Sequence, residues 1–287
     1  MSSDDIRISV ALVTRNAPSN LERCLQSLRS QSQQPFEIVV SDDSTPDFEQ
    51  QTKEVAEKYD CRHHQGPRRG LYANRNCAAI ACAGTHIRTM DDDHTFPPGH
   101  WEECEAAVKE DAKAFWSIGE VCLIDGAYWG TAETSNQLHP SGLGCHIDNP
   151  ENNWAVADGS TIYPATIFRE GHRMIETFSY GSAYLEFGAY LYQLGYVGKC
   201  LRGSMVQHHA SVSTLTRKGA DTNGSRLYAV LAYNLHFRPS LFKAIKYITA
   251  CIADSKSPAA MACFLPAAKT AVSKRWGSIG HMKRTSN

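Results

Sequence analysis

Residues Ile6 to Val13 form an unbroken, β-branched apolar run, the pattern of a strand buried on both faces. Thr14-Arg15-Asn16-Ala17-Pro18 ends it as a loop. Leu21, Cys24, Leu25 and Leu28 then recur at helical spacing behind Ser19-Asn20-Leu21-Glu22, which reads as a capping box. The alternation repeats. Phe36–Ser41 reads as a second strand and Phe48–Tyr59 as a charged helix, with Cys61–His64 a short edge strand. Tyr72–Ala83 reads as an Ala-rich helix closed by Gly84, and His86–Met90 as a further strand. Trp101–Lys109 reads as a helix, Ala114–Val121 as a strand, and Thr161–Arg169 as an extended piece. Tyr184–Leu194 is an apolar helix with one acid, Glu186. Two short strands follow, at Tyr196–Leu201 and Met205–His209, and from Arg226 the chain is mostly helical. Strand-helix alternation of this kind predicts an α/β fold with an open, mostly parallel sheet flanked by helices.

Candidate chemistry collects where strands stop. In an open parallel sheet, ligands bind beyond the carboxyl ends of the strands. The second strand runs into Asp42-Asp43, and the strand at His86–Met90 runs into Asp91-Asp92-Asp93-His94. Three adjacent carboxylates repel one another unless a cation or hydrogen bonds compensate. Asp91 and Asp93 are two apart, so on an extended chain they face one side. They could share one metal ion, or divide a metal and a ribose hydroxyl between them. Magnesium or manganese suits such oxygen ligands together with phosphates. A solvated acidic turn is the plainer alternative. Arg68, Arg69, Arg75 and Asn76 gather where a Gly-rich loop meets a helix start, a place suited to a diphosphate; pairing with local acids is the alternative. Residues 126–153 and 217–225 read as loops, the first a plausible substrate wall and the second mobile.

Composition is that of an ordinary globular protein, 42% hydrophobic and 21% charged over 287 residues. The net charge of −1 hides an asymmetry: from His236 onward there are nine Lys or Arg and one acid, Asp254. Such a basic tail suits an anionic surface, for example peripheral contact with a membrane. Ten cysteines without a Cys-x-x-Cys give little support to zinc or a redox pair, and free thiols in a reducing, cytoplasmic setting are expected. No signal peptide is expected at the polar start, and no apolar run is long enough for a membrane span. Basic residues interleaved with stacking aromatics are lacking, which argues against a nucleic-acid partner.

Taken in order, these stretches resemble the family 2 glycosyltransferases. Val10-Ala11-Leu12-Val13-Thr14-Arg15-Asn16 resembles the family's opening strand, and Leu25-Gln26-Ser27-Leu28 with Gln31 its first helix. Ile38-Val39-Val40-Ser41-Asp42-Asp43-Ser44 resembles its strand ending in Asp-Asp-Gly-Ser, without the Gly. Gly70-Leu71-Tyr72-Ala73-Asn74-Arg75-Asn76 resembles its Arg-Asn helix start, and Met90-Asp91-Asp92-Asp93 its Leu-Asp-x-Asp. The likeness is dense from Arg7 to Trp101 and thinner beyond. It implies a GT-A fold over residues 1–225, with residues 226–287 a helical extension carrying the basic tail. It also implies transfer of a sugar from a nucleotide-diphosphate donor, a UDP-sugar first, to a hydroxyl acceptor of a glycan, lipid or small molecule, with inversion the first reading and retention the alternative.

By the same resemblance, donor contacts fall on Thr14, Arg15, Asn16, Asp42, Asp43, Arg75, Asp91 and Asp92. Mn2+ or Mg2+ falls to Asp93, Asp91 and His208, with His209 the competing choice. The family's usual Glu-Asp before the late helix is replaced here by Ala183-Tyr184. Glu186 is the nearest carboxylate and the first candidate for the base that takes the acceptor proton, and Asp158 the second. The competing readings are a non-catalytic nucleotide-sugar or glycan-binding module and a nucleotidyltransferase. The latter would carry a Gly-rich basic signature that Thr14–Asn20 lacks.

Overall fold

The structure is a computed structural model and describes residues 6–211, 220–255, 258–271 and 275–276. The apolar runs become parallel strands that all end on one edge. β1 (Ile8–Thr14) pairs in parallel with β2 (Glu37–Asp42) and with β4 (His86–Asp91), and β2 with β3 (Arg62–Gln65). Register places Thr14 opposite Asp42 and Val13 opposite Asp91, so the acid-bearing ends lie side by side. β10 (Ser160–Pro164) enters antiparallel between β4 and β6 (Phe115–Ile124), with Ser160 opposite Met90. Its reversed sense brings the residues before it, Asp158 and Gly159, to the end of β4. β11 (Gly198–Ala210) runs parallel to β6, and the two-residue β5 (His94–Thr95) pairs with β11. The sheet order is β3-β2-β1-β4-β10-β6-β11-β5, with β7 (Ala127–Ala132) on β6. β8 (Gln137–Leu138) and β9 (Gly144–Cys145) form a separate pair. This is the expected α/β architecture, with a mostly parallel central sheet flanked by helices.

Side-chain alternation along β1 divides the core in two. Val10 and Leu12 point to one face, with Leu21, Cys24, Leu25 and Leu28 of α1 (Pro18–Arg29) and Trp101 of α4 (His100–Glu110). Ala11 and Val13 point to the other, with Tyr72 of α3 (Leu71–Ala81) and Phe187 of α6 (Ala183–Gln193). That second cluster continues without a break into Leu227–Val230 of α7 (Ala220–Leu231) and Phe237, which ends a π-helical segment, Ala232–Phe237. It also takes in Cys251 of α8 (Leu241–Asp254) and Ala267 of α10 (Phe264–Ala271), which follows the short α9 (Pro258–Ala262). The C-terminal helices therefore share a core with the sheet.

Local readings differ in several places. α1 starts at Pro18, whose fixed φ suits a first helical position, so Ser19 lies inside the first turn and caps nothing. Thr161–Arg169 is not extended throughout, because Pro164 ends β10 and α5 (Ala165–Arg169) follows. The two late strands are one, β11, with a register irregularity between Leu201 and Val206. Residues 126–153 are only partly loop: Asp125 (φ 49) and Gly126 (φ 82) form a tight turn from β6 into β7. Residues 220–225 belong to α7 rather than to a loop, whereas 217–219 and the basic tail after 276 lie outside the described residues. α2 (Pro46–Lys58) matches the expected charged helix. All ten cysteines are unbridged. Among the described residues, no helix is long and apolar enough to cross a membrane.

Candidate active site

A cleft of about 1030 Å³ opens along the edge where the strands end. Its described walls carry six acidic side chains, those of Asp43, Asp91, Asp92, Asp93, Glu120 and Asp158, against one arginine, Arg15, the His208 imidazole, and no lysine. An anionic ligand cannot enter such a cleft favourably unless a cation comes with it.

Below the floor lies Arg75, fully buried, with its guanidinium between two strand ends. Nη2 donates to both oxygens of Asp91 at 2.8 and 2.7 Å, and Nη1 donates to Asp158. Burial alone would lower the Arg75 pKa, but Asp91 overrides it and the net shift is upward. Gly159 makes this packing feasible. A Cβ there would sit 2.3 Å from Asp91 Oδ2, and its φ of +77° is left-handed. Arg75 thus positions Asp91 and Asp158 and does not face the cleft, so its expected contact with a diphosphate is not available in this arrangement. Arg68 and Arg69 also point elsewhere, paired with Glu49 and Glu176 at 2.8 and 3.0 Å, and Asn76 donates to the Met174 carbonyl and to Glu176.

The acidic stretch is not extended as its spacing had implied. β4 stops at Asp91, Asp92 and Asp93 form a turn, and His94 begins β5. Asp91 and Asp93 are therefore sent to different partners. Asp93 Oδ2 lies 3.4 Å from His208 Nε2, and Asp93 Oδ1 lies 3.8 Å from His94 Nε2. The ligand atoms of Asp93, His94 and His208 all lie within 4.8 Å of one another. His208 Nδ1 meets Glu120 Oε2 at 3.0 Å. Burial disfavours charge on His208, but hydrogen bonds to Asp93 and Glu120 outweigh it and push its pKa up to about 11. The same contacts outweigh burial at Asp93 and Glu120 and lower both. His94 is 1% exposed, its pKa is lowered by burial, and neither ring nitrogen has a hydrogen-bond partner; Asp93 Oδ1 also lacks one. Buried polar atoms normally find partners. Two imidazoles and a carboxylate, with unpartnered atoms on His94 and Asp93, fit a divalent metal, and this donor set favours manganese over magnesium.

At the β1–β2 end of the cleft, Asp43 lines the wall and accepts from the Arg68 backbone N–H at 2.8 Å; burial raises its pKa. Asp42 turns the other way. It is 1% exposed, accepts from the Ser44 N–H at 2.8 Å and meets His63 Nε2 at 3.2 Å, so it braces the loop instead of facing a ligand. Thr14 Oγ1 donates to Asp92 Oδ2 at 2.5 Å. Desolvation, against that hydrogen bond and with repulsion from Asp93 and Asp91, pushes Asp92 up to about 8. Asn16, at φ +54°, ties β1 to β2 through Thr45 N–H to Asn16 Oδ1 at 2.8 Å, and Arg15 stands exposed on the wall.

Glu186 does not line the cleft. It is 0% exposed and faces the C-terminal segment, accepting from Arg275 Nη2 at 3.0 Å and Trp276 Nε1 at 2.9 Å; burial raises its pKa. Its neighbours Tyr184 and Leu185 line the cleft, but a residue half a turn on points into the core. His209 turns to Thr95 Oγ1 at 2.8 Å, away from Asp93. Sequence reasoning missed His94, Glu120 and Gly159. His94 had a signal, since it directly follows the acids.

The sequence model described as "Glycosyl transferase family 2" matches residues 9–169, more than half of the chain. EpsH, a Bacillus subtilis (strain 168) protein named as a glycosyltransferase, is 27% identical over 100 residues, covering 33% of this chain and 28% of its own. The chain thus spans little more than a quarter of that relative. A crystal structure of GalNAc-T7 with UDP, GalNAc and Mn2+ has a TM-score of 0.64 at 15% identity, covering 86% of this chain and 54% of the other. S. aureus TarS 1–349 in complex with UDP-GlcNAc has a TM-score of 0.64 at 14% identity, covering 96% and 84%. At such identities the likeness is one of fold, and that fold is GT-A. The strand order, the acid-lined edge and the family match agree: this chain belongs to glycosyl transferase family 2.

Proposed function

We propose that the cleft binds a nucleotide-diphosphate sugar, most simply a UDP-sugar, and transfers the sugar to a hydroxyl acceptor with inversion. The observation that carries this reading is the convergence of Asp93, His94 and His208 beside a cleft whose charged wall residues, apart from Arg15 and His208, are all acidic. Asp43 and Asn16 would address the base and ribose, with Thr14 holding Asp92 in place. Asp93, His94 and His208 would hold the cation, Mn2+ before Mg2+. When bound, that cation supplies the positive charge that stabilises the departing diphosphate. Glu120 would fix the His208 ring through Nδ1, leaving Nε2 to face the site.

The base is assigned to Asp158. Of the six carboxylates on the described walls, four lie at Asp43 and Asp91–Asp93, and Glu120 is engaged by His208. Asp158 is held by Arg75 with a side chain 24% exposed, so it can reach an acceptor hydroxyl. Its carboxylate would take the hydroxyl proton as that oxygen attacks the anomeric carbon. A panel of nucleotide sugars screened for Mn2+-dependent hydrolysis tests the reading. One donor hydrolysed only with metal, and hydrolysed faster with its acceptor, is expected. Binding of donors with no turnover on any acceptor would favour a binding module instead.

A further inference from the structure

We infer that α8 is an interfacial helix that seats the enzyme on an anionic lipid surface. The helix has two apolar faces. Ala244 and Cys251 are buried against the body of the protein. On the outside, Leu241, Phe242, Ile245 and Ile252 are 73, 78, 56 and 44% exposed. At 3.6 residues per turn these four fall within an arc of about 100°. Large side chains so exposed and so aligned do not serve the fold, and a contiguous apolar stripe of this kind marks a contact surface.

Charge decides what the stripe contacts. Lys243 and Lys246 stand exposed on the same helix, and its only acid, Asp254, is engaged by Arg226 at 2.7 Å. From His236 onward the sequence carries nine Lys or Arg against one acid, while the preceding residues carry 20 Lys or Arg against 29 acids. An anionic plane would attract the exposed Lys243 and Lys246 and repel the acid-rich residues before His236, which orients the molecule with α8 toward the plane. A second copy is a poor occupant, since it would bring the exposed lysines of two α8 helices together while the helix's one acid, Asp254, is already engaged by Arg226. Apolar Leu, Ile and Phe with flanking Lys is the composition of helices that lie in the headgroup region.

The test is sedimentation of the full-length protein with vesicles and does not depend on its catalytic activity. Vesicles of phosphatidylcholine alone are compared with vesicles that also contain phosphatidylglycerol. The protein is expected to pellet with the anionic vesicles and to do so about tenfold less with neutral ones or in high salt. The pair Phe242→Ser/Ile245→Ser and the pair Lys243→Glu/Lys246→Glu should each weaken binding about tenfold. All four side chains are exposed, so both variants are expected to fold, and near-ultraviolet circular dichroism checks this. Protein that stays in the supernatant with anionic vesicles overturns the inference. So does unchanged binding by the Phe242→Ser/Ile245→Ser variant, or a dimer in sedimentation velocity that this variant dissolves.

Discussion

Asp93 and His208, from opposite halves of the chain, meet at 3.4 Å because the two-residue β5 pairs with β11 and sets His94 opposite His208. The candidate cation site is thus built by a strand pairing and not by the acidic stretch alone. Glu120 completes it from β6, on the far side of the His208 ring.

That arrangement predicts a role for Glu120 at one remove. Glu120→Gln keeps a hydrogen bond but loses the charge that orients His208. Mn2+ affinity, read by electron paramagnetic resonance, is expected to fall about 10- to 100-fold with the melting temperature little changed. Unchanged affinity would separate His208 from the metal.

Arg75 is the structural counterpart beneath the cleft. Arg75→Lys cannot span Asp91 and Asp158 with one compact ammonium. Two carboxylates are then left underpaired, and the cost is expected to be about 3–5 kcal/mol in urea unfolding. A loss below 1 kcal/mol would mean that solvent already compensates these acids.

Gly159→Ala tests the same junction from the backbone. The added methyl would lie 2.3 Å from Asp91 Oδ2 at a left-handed φ of +77°. Strain of about 1–2 kcal/mol is expected, along with loss of donor affinity as Asp91 is pushed aside. Wild-type stability and affinity together would contradict the packing.

The two carboxylates first considered as bases separate cleanly by experiment. Glu186→Gln leaves Arg275 beside an uncharged amide in the core. It should lower stability by about 3 kcal/mol, with turnover below the melting transition largely kept. Asp158→Asn should do the reverse in kinetics, lowering kcat about 100-fold or more while KM for the donor changes little. A large kcat loss in Glu186→Gln with full stability would return the base to Glu186.

The sequence made the strand ends readable because β-branched runs stop abruptly at acids, and their parallel register puts those ends on one edge. It also placed Asp43, Asp93 and His208 at strand ends, and all three line the cleft. What failed depended on partners far away in the chain. Two-residue spacing paired Asp91 with Asp93, but a turn at Asp92–Asp93 broke the extended geometry and Arg75 took Asp91. Asp42 and Asp43 look alike in sequence, and only the position of His63 on β3 separates the brace from the wall. Glu186 is the nearest carboxylate in sequence, but its helix turns it into the core, where Arg275 and Trp276 close over it. Glu120 carried no motif at all, and its role appears only once β6 and β11 are paired.

The central claim is that this acidic cleft accepts a nucleotide diphosphate only together with a divalent cation held at Asp93, His94 and His208. Calorimetric titration of UDP into the protein, with Mn2+ and then with chelator, measures this directly. Tight binding with Mn2+, at least about 100-fold weaker binding without it, and loss of that difference in Asp93→Ala are predicted. UDP affinity that is the same with and without metal, or an Asp93→Ala protein that still responds to Mn2+ as wild type does, would contradict it.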